Sequence, residues 1–228
     1  MLRKSRLFIV VILTILVLLT GCKDKETDAI KFKNEYESLN NTKSESGKDI
    51  RNITIDEKNP MVYKTEDDIV NLINNKETFL VYFGFAKCPW CRSVLPTLLE
   101  VSKENKISTI YYVDVLNIRD VYELDDNGNL NKTKEGTKGY NELLSLLGDK
   151  LSDYTLNGKS VGEKRIYAPN IVSIIDGKVD SVVTGISSLQ TDGYMELTDE
   201  MVNETKNILN PVIEKLVEAL NSCNVSGC

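Results

Sequence analysis

The chain has 228 residues, which fits one or two domains, and its 41% hydrophobic and 27% charged residues are typical of a folded globular protein. It contains no histidine, which excludes Ser-His-Asp and Cys-His catalytic sites and histidine-ligated zinc. The net charge is −6, and after the first 21 residues 25 basic side chains stand against 34 acidic ones. We therefore expect no nucleic-acid partner, because such proteins normally carry a basic surface.

The N-terminus is typical of an export signal. Three basic residues precede the apolar run 7–19, which at thirteen residues is too short to span a bilayer. The run ends at Leu19-Thr20-Gly21-Cys22, which resembles the lipobox of bacterial lipoproteins. This resemblance implies a signal peptide over 1–21 and a lipidated Cys22 as the first residue of the mature chain. The alternative is an uncleaved anchor with Cys22 as an idle thiol, and both place the domain outside the cytoplasmic membrane.

Residues 22–60 are rich in Lys, Asp, Glu, Asn and Ser, which predicts a lipidated cysteine followed by a flexible, solvated tether. Phe32 and Tyr36 are among the few apolar residues in this segment, at a spacing that would allow one short amphipathic helix. We expect the folded domain over 61–228.

From residue 61 the hydrophobic pattern predicts the order β-α-β-α-β-α-β-β-α, with an insertion at about 116–163. The apolar run 78–83 predicts a strand buried on both faces, and it leads into Cys88-Pro89-Trp90-Cys91, where a helix begins. A strand over 107–113 would follow through a parallel crossover. Asp176-Gly177 between two β-branched runs predicts a hairpin, and a helix from about Asp199 to Asn221 closes the domain.

This order, with C-x-x-C at the junction of the second strand and the second helix, resembles the thioredoxin superfamily, an α/β fold whose central mixed sheet is flanked by helices. Pro96 stands where the family has a helix-kinking proline. Ala168-Pro169 stands at the family's cis-proline, and Gly185 at the glycine of its substrate groove. The resemblance implies that Ala168, Pro169 and Gly185, together with Trp90, bind substrate. The lipobox, tether and C-P-W-C together resemble the thioredoxin-like lipoproteins of Gram-positive bacteria and their bacteriocin transport accessory relatives.

The C-P-W-C motif itself indicates thiol-disulfide exchange, which needs an attacking thiolate and a second thiol that resolves the mixed disulfide. A helix N-terminus favours Cys88 as the thiolate, and Lys87 and Arg92 are predicted to stabilise it further. Cys91, one turn into the helix, is the predicted resolving thiol. This chemistry needs no cofactor. Its partners would be protein dithiols or disulfides and an unidentified redox partner.

The motif has two alternatives, and a second cysteine pair adds an ambiguity. Cys88 and Cys91 could form a structural disulfide, or could join Cys223 and Cys228 in a Cys₄ zinc site, although the spacing of the second pair is a poor match, so no metal is predicted. We favour a disulfide between Cys223 and Cys228 that holds the C-terminus. The alternative makes this pair an electron relay to Cys88 and Cys91.

One position departs from the family pattern. The buried carboxylate that the family carries six residues before its first cysteine is Tyr82 here, and a tyrosine hydroxyl is a weak base at neutral pH. The proton route for Cys91 is therefore open, with water or Lys87 as substitutes. We predict a lipid-anchored thiol-disulfide oxidoreductase on the outer face of the cytoplasmic membrane. The alternative is a peptide-binding or bacteriocin transport accessory module with structural disulfides only.

Overall fold

The computed structural model describes residues 26–226, with side chains through residue 222. The predicted signal peptide and the thiols of Cys22, Cys223 and Cys228 lie outside the described residues. The helices are α1 (Asp28–Glu37), α2 (Glu66–Asn74), α3 (Pro89–Glu104), α4 (Lys138–Leu147) and α5 (Asp199–Ser226). The strands are β1 (Met61–Tyr63), β2 (Phe79–Gly84), β3 (Ile110–Asp114), β4 (Val121–Leu124), β5 (Leu130–Lys134), β6 (Asp153–Leu156), β7 (Lys159–Lys164), β8 (Asn170–Ile175) and β9 (Lys178–Val183).

A five-stranded mixed sheet forms the centre of the domain, in the order β1-β3-β2-β8-β9. β3 pairs in parallel with β1 and β2, whereas β8 pairs antiparallel with both β2 and β9. The predicted hairpin at Asp176-Gly177 is confirmed, since it connects β8 to β9. This topology, with helices on both faces, is the predicted thioredoxin-like fold.

The apolar strand β2 divides the core into two layers because successive side chains point to opposite faces. Leu80 and Tyr82 face the layer formed with α1, α3 and α5. Val81 and Phe83 face the layer formed with α2 and α4. Burial on both faces explains why the run is continuously apolar, and it places the end of β2 at the start of α3.

The segment predicted as a tether is part of the folded domain from α1 onward, so that prediction is wrong for residues 28–60. Phe32 and Tyr36 of α1 are fully buried, and Ile53 and Ile55 are at most 5% exposed. These side chains join the core layer that contains α3. The average composition of the segment does not reveal these residues, because most of its side chains are polar. A few buried apolar side chains are enough to pack the segment on the domain, while the polar residues face solvent or form hydrogen bonds with the backbone.

The range predicted as an insertion contains two hairpins on either side of a core helix. β4 and β5 form the first hairpin, with a turn at the predicted Asp126-Asn127-Gly128. β6 and β7 form the second around Asn157-Gly158, a dipeptide typical of tight hairpin turns. α4 lies between the hairpins and packs in the same core layer as α2. Within the described part of the chain, no helix is both long enough and apolar enough to cross a membrane.

Candidate active site

Cys88 and Cys91 lie where β2 passes into α3. The backbone N–H of Cys88 bonds to the Phe85 carbonyl at 3.1 Å, which closes the turn between the two elements. Cys88 is then the N-cap of α3, and its Sγ accepts the Cys91 N–H at 3.1 Å. Pro89 follows as the first helical residue, a position where its missing N–H costs nothing. Both cysteines are free thiols, with Cys88 3% exposed and Cys91 fully buried.

The surroundings of Cys88 favour its thiolate. Burial acts to raise the pKa of Cys88, but hydrogen bonds from the Cys91 thiol and from the N–H groups of Cys91 and Trp90, together with the charge of Arg119, lower it below its ordinary value. The N–H donors are those that a helix N-terminus leaves unpaired. Of the two thiols, Cys88 is therefore the one that more readily becomes a thiolate.

A positive charge that acts on Cys88 comes from Arg119, which is not one of the two residues predicted for this role. Lys87 is exposed and lines a neighbouring groove with Phe85 and Leu116. Arg92 is fully buried and directs its donors away from the cysteines, so the prediction that it stabilises the thiolate is wrong. Its guanidinium donates to the backbone carbonyls of Arg51, Tyr36 and Ala86 and to the Asn40 side chain.

Arg119 lies in the loop after β3, with its guanidinium 5.3 Å from the centre of the Phe85 ring. Its Nε is buried without a hydrogen-bond partner. Burial and the charge of Arg165 lower the pKa of Arg119, whereas Cys88 and Cys91 raise it. The sequence gives no indication of this contact, because Arg119 is distant from Cys88 in the chain and its position depends on how the loop after β3 packs.

Cys91 is held as a neutral thiol. Burial is the largest cause that raises the pKa of Cys91 well above its ordinary value. The hydrogen bond with Cys88 and the negative charge of Cys88 raise it further. A hydrogen bond from the Tyr82 hydroxyl opposes this shift, as does one from the backbone of Phe85. Tyr82, at the position of the missing carboxylate, is fully buried, and its hydroxyl lies 3.3 Å from that of Tyr36. The pKa of Cys88 is thus lowered and that of Cys91 raised, which is the difference expected between an attacking thiol and a resolving thiol.

The Ala168-Pro169 peptide bond is cis and faces Cys88. The Cys88 thiol donates to the Ala168 carbonyl at 3.2 Å. A shallow groove adjoins this contact, and the side chains along it are mostly apolar. The groove is lined by Trp90, Tyr167, Ala168, Pro169, Thr184, Ile186 and Gln190. Three of the four residues predicted to bind substrate, Trp90, Ala168 and Pro169, therefore lie together beside Cys88.

Gly185, the fourth, is buried beneath the groove. It has a φ of +70°, and a Cβ on it would lie 2.8 Å from Cγ1 of Val94 in α3. Its neighbours Thr184 and Ile186 line the groove instead. The structure thus gives Gly185 a packing position, where a side chain would separate the strand end from α3.

The loop between β9 and α5 covers the first turn of α3. Gln190 donates to the Ser93 hydroxyl at 2.8 Å, and this hydroxyl lies 3.3 Å from the Gly193 carbonyl. A Cβ on Gly193 would lie 2.9 Å from the Cβ of Pro89. These contacts keep Pro89 and Trp90 in place at the edge of the groove.

Neither a family model nor a curated protein matches the chain. Among solved structures, oxidized thioredoxin O1 from Arabidopsis thaliana is similar to it, with 19% sequence identity and a TM-score of 0.33. The match covers 68% of this chain and 99% of the thioredoxin.

Among the described residues, no three Cys, Asp or Glu side chains lie close enough together to form a metal site.

Proposed function

We propose that the protein is a thiol-disulfide oxidoreductase that exchanges disulfides with protein substrates through Cys88 and Cys91. The observation that carries this proposal is the contrast between the two thiols. Cys88 has a lowered pKa and lies beside a groove, whereas Cys91 has a raised pKa and is fully buried one turn behind it. A structural disulfide would need no such contrast.

In the reducing direction the Cys88 thiolate attacks a substrate disulfide. A bond forms between Cys88 Sγ and one substrate sulfur, and the other substrate sulfur leaves as a thiolate. Cys91 then loses its proton and attacks Cys88 Sγ, which forms the Cys88–Cys91 disulfide and releases the second substrate thiolate. The substrate is reduced and the pair oxidised. The reverse sequence oxidises a substrate dithiol, and the reduction potential relative to the partners sets the direction.

The groove beside Cys88 supports a polypeptide substrate. It is open along one side, and the rings of Trp90, Tyr167 and Pro169 offer flat apolar surfaces without a deep cavity for a small molecule. The Ala168 carbonyl, which accepts from Cys88 when no substrate is bound, is a backbone acceptor at the same point. An extended segment that carries the target disulfide fits this arrangement.

We further propose that a lipid on Cys22 tethers the domain outside the cytoplasmic membrane. A redox partner there would return the Cys88–Cys91 pair to its active oxidation state. The lipobox-like sequence supports this location. Because α1 packs on the domain from Asp28, only the short link from Cys22 to Asp28 would separate lipid and domain, at most about 22 Å when extended. The domain would then act on substrates close to the membrane surface.

A trapping experiment tests the proposed chemistry. We expect Cys91→Ser in the full chain to accumulate mixed disulfides with a disulfide-bonded test protein, because Cys88 still attacks and nothing resolves the product. Cys88→Ser should form none and lose turnover. Cys223→Ser is the matched control and should keep turnover. If Cys88→Ser retains full activity, the protein is instead a binding module whose cysteines are structural.

The membrane location is tested separately by replacing Cys22. In a bacterium fed an alkyne-labelled fatty acid, the chain should carry the label and sediment with membranes. The Cys22→Ala variant should carry none. Labelling that is independent of Cys22 would contradict the anchor but leave the thiol chemistry intact.

A further inference from the structure

A row of hydroxyl groups leads away from the resolving thiol through the core. The Tyr82 hydroxyl lies 3.3 Å from the Tyr36 hydroxyl, and Tyr82 packs in the same core layer as Cys91 and interacts with it electrostatically. Tyr36 also interacts electrostatically with Tyr112, whose ring it meets edge-on. The Tyr112 hydroxyl in turn donates to Oε1 of Glu35 at 3.1 Å. Two of these four contacts are hydrogen bonds, and because each hydroxyl can both donate and accept, the row is suited to passing protons along its length.

The row connects a buried thiol to solvent. Tyr36, Tyr82 and Tyr112 are each fully buried, whereas Glu35 on α1 is partly exposed. Ring packing holds the hydroxyls in register, since the rings of Tyr82 and Tyr112 stack with centroids 5.8 Å apart. The Tyr36 ring meets that of Tyr112 edge-on at 6.2 Å. Glu35 also accepts the Tyr63 hydroxyl, which fixes its carboxylate at the end of the row.

We propose that Tyr82, Tyr36 and Tyr112 form a proton relay between the Cys91 thiol and the Glu35 carboxylate. The inference rests on the proposed function, because it assigns the proton route of its resolving step. It also gives α1 a role, since this helix from the segment predicted as a tether supplies both Tyr36 and Glu35.

The relay moves one proton out of the core for each resolving step. The Cys91 S–H proton passes to the Tyr82 oxygen while the Tyr82, Tyr36 and Tyr112 protons each move one place along the row. Glu35 takes the last proton and releases it to solvent. The Cys91 thiolate attacks Cys88 Sγ, the Cys88–Cys91 bond forms, and the bond from Cys88 to the substrate breaks. The substrate leaves as a thiolate, and the cysteine pair is oxidised by two electrons.

The surroundings of the row favour a concerted transfer. Burial raises the pKa of Tyr36 and of Tyr82 well above the ordinary value, so a tyrosinate that persisted in the core as an intermediate would be unfavourable. A simultaneous shift of all protons leaves no tyrosinate behind. The Arg92 guanidinium interacts electrostatically with both tyrosines and reduces the cost of charge that develops during the transfer.

Charged and titratable groups from four elements face Cys91, and each enters its pH dependence. They are Cys88 from the same helix, Tyr82 from β2, Tyr36 from α1 and Arg119 from the loop after β3. Arg119 is a permanent cation and offers no site for the proton. Of the remaining three, Tyr82 connects to a route that leads out of the core.

The test measures the resolving step directly. The reduced full chain in detergent is mixed rapidly with glutathione disulfide and quenched with acid at intervals between pH 5 and pH 10. Trypsin cleavage after Lys87 and Arg92 releases the peptide 88–92, which contains both active cysteines. Mass spectrometry of this peptide gives the rate at which the mixed disulfide on Cys88 forms and the rate at which Cys91 resolves it.

We expect Tyr36→Phe, which leaves the Tyr82–Cys91 contact in place, to slow resolution near pH 7 by roughly tenfold to a hundredfold. Tyr82→Phe should slow it similarly, and the double variant should be no slower than the single ones, because one break stops the relay. In each variant the rate should climb with pH toward that of the unmodified chain. Formation of the mixed disulfide should not change.

Two further variants keep the test decisive. Tyr111→Phe is the matched control, since Tyr111 is next to Tyr112 on β3 but packs on Phe79 in the other core layer. It should resolve at the unmodified rate. Glu35→Gln removes the final acceptor at a partly exposed position and should show the same slow, pH-dependent resolution as Tyr36→Phe.

Unchanged resolution in Tyr36→Phe and Glu35→Gln would overturn the relay while leaving the proposed function intact. Slow resolution in Tyr82→Phe alone would also overturn it, because Tyr82 would then act by itself. If the unmodified chain forms no mixed disulfide on Cys88, the proposed function fails, and the relay fails with it.

Discussion

The Arg92 guanidinium donates to the Tyr36 carbonyl at 2.9 Å and thereby joins the helix that begins at the Cys88–Cys91 pair to the helix α1. The same guanidinium bonds to the Arg51 carbonyl at 2.7 Å and to the Asn40 side chain at 2.8 Å. One buried side chain thus holds three points of the segment 36–51 against α3. This segment is therefore structurally part of the domain that contains Cys88 and Cys91.

Replacement of Arg92 should destabilise the fold. Arg92→Met keeps most of the side-chain volume but leaves the carbonyls of Tyr36, Arg51 and Ala86 without this donor. We expect the free energy of unfolding in urea to fall by about 3 kcal/mol, the range for buried groups that lose their partners. The exposed Lys87→Met is the control, with an expected change within about 0.5 kcal/mol. Equal stability of the two variants would contradict the structural role of Arg92.

Replacement of Arg119 should weaken the thiolate of Cys88. Because the Arg119 charge lowers the pKa of Cys88, its removal in Arg119→Met should raise this pKa and slow alkylation of Cys88. Near pH 7 we expect a decrease in the alkylation rate on the order of tenfold, or about 1.4 kcal/mol. Lys87→Met should leave the rate unchanged. A larger effect of Lys87 than of Arg119 would mean that the local charge has been misassigned.

Alkaline pH should unfold the protein through its buried tyrosines. The pKa values of Tyr36, Tyr82 and Tyr112 are raised in the folded state, with burial as the largest cause in each case. Above the ordinary tyrosine pKa of 10.0 the unfolded chain loses these protons while the folded chain keeps them. Stability therefore falls as pH rises, by about 1.4 kcal/mol per pH unit for each such tyrosine.

Urea unfolding of the reduced protein between pH 8 and pH 11.5 measures this slope. Tyr36→Phe removes one titrating group and should reduce the slope above pH 10 by about 1.4 kcal/mol per pH unit. An identical slope in the variant would show that Tyr36 does not titrate differently in the folded and unfolded states.

Gly185 should resist substitution because of its contact with α3. Gly185→Ala places a Cβ 2.8 Å from Val94 Cγ1 at a φ of +70°. Gly47→Ala is the matched control, since Gly47 has a φ of +80° but a Cβ on it would have nothing within 4 Å. We expect Gly185→Ala to cost about 1–3 kcal/mol more than Gly47→Ala in thermal or urea unfolding. If both variants lose the same free energy of unfolding, the substitution at Gly185 is opposed by backbone strain alone and not by the contact with Val94.

The junction of β2 and α3 could be predicted from sequence because its signals are local. A continuous apolar run, two cysteines and Pro89 fall within a few residues of each other, and Asp176-Gly177 similarly marks its own hairpin. The placement of Ala168 and Pro169 opposite Cys88 required the family resemblance, since the sequence pattern says nothing of that distance.

Arg92, Arg119 and the N-terminal segment could not be placed in the same way. Arg92 is close to Cys88 in sequence, yet the helix turns its side chain to the opposite side, toward α1. Arg119 reaches the cysteines from a loop whose path depends on tertiary packing. The polar composition of residues 22–60 favours a tether because averages conceal Phe32 and Tyr36, whose contribution is decided by what they pack against.

A redox titration of the full chain shows whether Cys88 and Cys91 act as a redox pair. The protein is equilibrated across a series of dithiol buffers, alkylated, and digested so that the peptide 88–92 reports the state of Cys88 and Cys91 alone. We predict reversible conversion between dithiol and disulfide with a two-electron slope, about 30 mV for each tenfold change in the ratio. A pair that stays in one state at every buffer potential until the domain unfolds would contradict thiol-disulfide exchange by this protein.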